Sequence, residues 1–92
     1  MKISYDPQKR EKTLAERGLD FEDAPQLFGG DLYEEVDDRR NYGEVRWLAV
    51  GLLSGRLVMV VWTPRGDVRH IISMRKCNER EQRHYLQELG RS

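Results

Sequence analysis

Two histidines, one cysteine and a few arginines at the ends of apolar runs are the side chains of this chain suited to moving protons or holding phosphate. His70 is the acid/base candidate, because an unperturbed imidazole titrates near pH ~6.5 and can take or give a proton under physiological conditions. Arg46 and Arg75 are candidates for stabilising negative charge on a phosphate. A guanidinium presents a planar fork to two oxygens and stays protonated. Glu44 lies two residues before Arg46, on the same face of an extended strand, so it is either a base or the arginine's ion-pair partner; the pair is favoured. The five-residue spacing from His70 to Arg75 turns them to opposite faces of an ideal strand, so one site can hold both only across a bulge or twist. His84, between Arg83 and Tyr85, reads as a surface residue. Cys77 reads as a small buried hydrophobe, since nothing in the spacing pairs it with a histidine. Trp47 and Trp62 fit cross-strand packing better than stacking on bases.

These groups need a scaffold, and 92 residues leave room for one domain, residues 1–92. Hydrophobic residues make up 38% of the chain, so the core must be economical. The lone cysteine excludes an internal disulfide and a multi-cysteine zinc site and fits a reducing cytoplasm. No segment approaches a membrane span, and the first residues lack the apolar stretch of a signal peptide. Sixteen basic and sixteen acidic residues cancel, which by itself speaks against a nucleic-acid binder. Their placement reverses that inference: residues 16–44 carry a net charge of −7 and the rest of the chain +7. The acidic stretch is expected to face away from any phosphate site, or to form an edge where a basic or strand-adding partner docks.

Lys2 to Tyr5 alternates polar and apolar and reads as a short strand. Asp6-Pro7 opens a helix to about Arg17, and Gly18 ends it in a left-handed cap. A second helix from Asp20 to Phe28 is short or kinked because of Pro25. An acidic strand or loop follows over 31–44, then strands 45–53 and 57–63 around a Ser54-Gly55 hairpin turn, a second turn at Pro64 to Gly66, and a strand from Val68 to Met74. Asn78 to Glu81 forms a capping box that starts a C-terminal helix carrying Tyr85, Leu86 and Leu89. The expected fold is α+β: a small antiparallel sheet of three to five strands, two N-terminal helices and one C-terminal helix. The helices are expected to cover one sheet face and leave the other free.

The runs Tyr5-Asp6-Pro7-Gln8-Lys9, Arg17-Gly18-Leu19-Asp20-Phe21-Glu22-Asp23-Ala24, Gly43-Glu44-Val45-Arg46, Gly51, Ile71-Ile72-Ser73-Met74-Arg75-Lys76 and Glu81 to Tyr85 together resemble the BrnT family of bacterial toxins. The resemblance spans nearly the whole chain. It implies a compact relative of the RelE ribonuclease toxins. Such a protein is a cytoplasmic, metal-independent endoribonuclease that cleaves RNA, stops translation and needs no cofactor. It also implies a BrnA-like antitoxin as partner, operator DNA contacted only through that antitoxin, and a dimer or a heterotetramer with it. Arg75 and Arg46 sit in matching motifs, His70 and Glu44 are the acid/base candidates beside them, and Lys9, Arg17 and Lys76 are candidates for binding substrate. Two positions depart from the family pattern. Glu16-Arg17 stands where relatives have Lys-His, and His70 stands where they have arginine. The competing reading is a non-catalytic binding module that keeps the fold and the antitoxin surface.

Overall fold

The computed structural model describes residues 1–90. The strands are β1 (Ile3–Tyr5), β2 (Leu32–Val36), β3 (Trp47–Leu53), β4 (Arg56–Arg65) and β5 (Val68–Lys76), and the helices are α1 (Pro7–Arg17), α2 (Ala24–Phe28) and α3 (Glu79–Leu89). One five-stranded sheet has the order β1-β5-β4-β3-β2. The sheet is mixed, correcting the expected all-antiparallel arrangement: β1 pairs with β5 in parallel, Ser4 opposite His70, while the other pairs are antiparallel.

Local signals act where they stand. The Asp6 side chain accepts the Gln8 N–H, Pro7 occupies the first helical turn, and Gly18 closes α1 at φ 68°. Ser54 and Gly55, both with positive φ, form the two-residue loop of the β3–β4 hairpin, whose twist matches the flanking strands. The expected second helix is divided into a 3-10 turn, Phe21–Asp23, and the five-residue α2, with Pro25 in the first turn of α2, where its missing N–H costs nothing. The capping box of α3 is complete, Asn78 and Glu81 each accepting the other's backbone N–H. Strand β4 runs through Pro64 rather than stopping before it. The β3 ladder has ended by Trp62, so a residue without an N–H loses no bond on that side.

The expectation that helices cover one face only is corrected by two separate cores. Phe21, Ala24, Leu27 and Phe28 pack on Ala49, Val58, Val60, Ile71 and Met74 on one face. On the other, Tyr85 of α3 packs with Leu48, Val50, Met59 and Val61, and Leu89 flanks them. Leu57 to Trp62 is buried at every position. Such an uninterrupted apolar run has no solvent side, so both faces must be covered. Gly51 lets α2 come close: a Cβ there would lie 3.2 Å from Leu27 Cγ and 3.2 Å from the Asp31 carbonyl oxygen.

Candidate active site

The site begins with a slip in the β4–β5 ladder. Val61 pairs with Ser73 but its neighbour Trp62 pairs with Ile71, so Ile72 is an extra residue, a β-bulge. Ile71 and Met74, an odd spacing apart, therefore enter the same core. By the same slip His70 and Arg75 share the opposite face, the one on which α3 packs, and the parity objection is removed.

His70 stands between Thr63 of β4 and Ser4 of β1. Its Nδ1 lies 2.8 Å from Ser4 Oγ. Burial, assisted by the charges of Arg65 and Lys9, pushes the imidazole below its usual pKa, against the weaker pull of Glu44 and Asp6. The ring is therefore neutral at pH 7 and able to accept a proton. Thr63 is 2% exposed and spends its hydroxyl on the Val45 carbonyl at 2.6 Å, which ties the chain before β3 against this row of the sheet.

Glu44 and Arg46 form the favoured ion pair, Nε to Oε2 at 3.2 Å, and the Arg46 guanidinium lies 4.0 Å from the centre of the Tyr42 ring. Lys9 is exposed on α1, close enough for its charge to act on His70. Arg17 instead donates from Nη1 to the Met74 carbonyl at 2.9 Å, along the edge of β5 that β1 does not reach. Lys76 borders a different groove, with Asp23 and Arg56.

Arg75 has a partner of its own. Its guanidinium donates to both carboxylate oxygens of Glu81, at 2.8 and 2.6 Å. Five residues of strand put it roughly 16 Å from His70, too far to share one phosphate. A groove of about 270 Å³ runs past it, walled by Glu35, Asp37 and Asp38. The acidic segment thus borders Arg75, which corrects the expectation that it faces away; its strand, β2, does form a sheet edge. Asp37 is buried and held by Arg39 at 2.7 Å and by the Tyr42 hydroxyl.

The Arg75 guanidinium holds the Glu81 carboxyl down to a pKa of about 2, with the Asn78 N–H assisting. A carboxyl depressed in the folded chain adds stability that is complete above its unfolded value near pH ~4.3 and is lost as pH falls toward 2. The arginine side chain is 39% exposed, so solvent screening reduces the contribution to roughly 1–2 kcal/mol. Glu81→Gln, which keeps the capping bond, is expected to lose that amount at pH 7 and to flatten the decline in stability between pH 5 and 3, as read by urea melts.

The remaining candidates take structural places. Cys77 is buried and its thiol is pushed up to about 11 by desolvation. His84 is exposed and rests against Tyr85. Trp47 and Trp62 stack on each other at 17°, and Trp62 Nε1 donates to Glu34. Among the described residues no group of three or more His, Cys, Asp or Glu side chains is placed to hold a metal ion, and no helix is long and apolar enough to cross a membrane. Sequence reasoning missed Ser4, Thr63 and Arg65. The signal for Ser4 is the pairing of β1 with β5, which joins residues 66 positions apart.

A search among curated proteins returned no significant match. The family model described as the ribonuclease toxin BrnT of type II toxin–antitoxin systems matches residues 5–81, a span that includes His70, Glu44, both arginines and α1. With most of its length matched, the chain belongs to the BrnT family of ribonuclease toxins of type II toxin–antitoxin systems.

Proposed function

We propose that the protein is a metal-independent endoribonuclease whose centre is His70. The observation that carries this reading is the His70 imidazole set 2.8 Å from Ser4 Oγ, part-buried and lying in the fields of Lys9 and Arg65. His70 takes the proton of a ribose 2′-OH; the 2′ oxygen bonds to the adjacent phosphorus, the bond to the 5′ oxygen breaks, and that oxygen takes a proton from water. Lys9, Arg65 and Arg46 offset the charge that builds on the phosphate oxygens. Glu44 holds Arg46 in place. Arg75 stays outside this chemistry, because its fork is taken by Glu81 and its groove is walled by Glu35, Asp37 and Asp38.

In this reading the toxin is a compact relative of the RelE ribonucleases. It acts in the cytoplasm, stops translation by destroying RNA, and is held inactive by a BrnA-like antitoxin that contacts operator DNA and joins it in a dimer or heterotetramer. The test is incubation of purified protein with total RNA in EDTA. Fragmented RNA is expected; intact RNA beside a folded protein rejects the catalytic reading.

A further inference from the structure

Beside the His70 row, α1 and β5 enclose a second groove, of about 180 Å³, lined by Lys9, Lys12, Thr13, Glu16, Arg17, Ile72 and Ser73. Three features set it apart from ordinary helix surface. Its floor is the bulge: Ile72 has no partner residue in β4 or β1, and β1 ends opposite Ile71, so nothing of the sheet covers this edge of β5. Its walls carry three cations against the single carboxylate of Glu16. It offers two hydroxyls, of Thr13 and Ser73, the donors that suit a phosphodiester oxygen. Arg17 is fixed at the wall by its bond to the Met74 carbonyl, while Lys9 and Lys12 are exposed.

We infer that this groove is a second RNA-backbone subsite, in which Lys12, Ser73 and Thr13 bind a phosphodiester of single-stranded RNA other than the one cleaved. The inference rests on the ribonuclease reading above. Ser73 lies three residues from His70 along β5, roughly 10 Å, so the groove receives a neighbouring phosphate and Lys9 spans the interval. Lys12 is a positioning residue. It sets where the strand lies and touches no reacting atom.

The test measures binding of an RNA oligonucleotide with 2′-O-methyl riboses, which cannot be cleaved, across 50–200 mM NaCl. Each phosphate contact made on a single strand contributes about 0.7 to the slope of log affinity against log salt. Lys12→Gln is expected to lower the slope by about 0.7 and raise KM several-fold while kcat on cleavable RNA is retained. Ser73→Ala is expected to weaken binding with the slope unchanged, and Arg83→Gln on α3 is expected to change neither. An unaltered slope and KM in Lys12→Gln, with His70→Ala still abolishing cleavage, overturns the subsite and leaves the ribonuclease reading standing. Wild-type protein that neither binds nor cuts RNA overturns both.

Discussion

His70→Ala is expected to lower RNA cleavage by about 10²- to 10⁴-fold, the range lost when a positioned acid/base group is removed. The reason is local. The imidazole is half-buried, in contact with Ser4 Oγ, and held neutral by burial and by the charges of Arg65 and Lys9. Wild-type activity should rise with pH through a pKa below 6.5 as the base form accumulates. In His70→Ala that limb should disappear along with the rate. The fold should survive. Because the folded imidazole titrates below the unfolded one, it adds stability that is complete above pH ~6.5 and lost as pH falls through the folded value. His70→Ala should therefore lack this pH-dependent part of the stability curve. A variant that keeps more than a tenth of the rate with an unchanged pH profile removes His70 from the chemistry.

The largest effect on stability is expected from Phe21→Ala. Phe21 is fully buried in the 3-10 turn, packs edge-on against Tyr5 at 5.8 Å between ring centres, and belongs to the larger of the two cores. Deleting a buried phenyl ring costs about 3–5 kcal/mol, from lost transfer energy and from the cavity left behind. Small domains of this size are stable by roughly 5–10 kcal/mol, so the variant should lose about a third or more of that stability. Equilibrium urea unfolding checks this, and a loss below about 1 kcal/mol would mean that the turn does not seal that face of the sheet.

Local features were the legible ones. The caps at Asp6, Gly18 and Asn78 and the turn at Ser54-Gly55 were expected where they occur, because each needs only a few adjacent residues with the right φ or the right side-chain acceptor. The Glu44–Arg46 pair and the burial of Cys77 were legible for the same reason of short range. What escaped depends on distant residues. Ser4 reaches His70 because two strands 66 positions apart run in parallel, and no local pattern marks that. The bulge at Ile72 carries no glycine, so sequence alone offered parity as an objection and the bulge only as its remedy. Coverage of both faces was within reach. The unbroken apolar run from Leu57 to Trp62 states it, since a strand buried at every position has no solvent side.

That single extra residue makes β5 a splice of two half-strands in opposite phase. Upstream of it, Arg69 and Ile71 point one way and His70 the other; downstream, Met74 and Arg75 take up the same two directions one residue out of step. Core and chemistry are therefore indexed to one backbone irregularity. Closing the slip with Ile72 kept, by pairing Ile72 with Trp62, would turn His70 toward the face of Phe28 and Trp62 and put Ile71 opposite Thr63, whereas deleting Ile72 would leave a regular ladder with His70 still opposite Thr63.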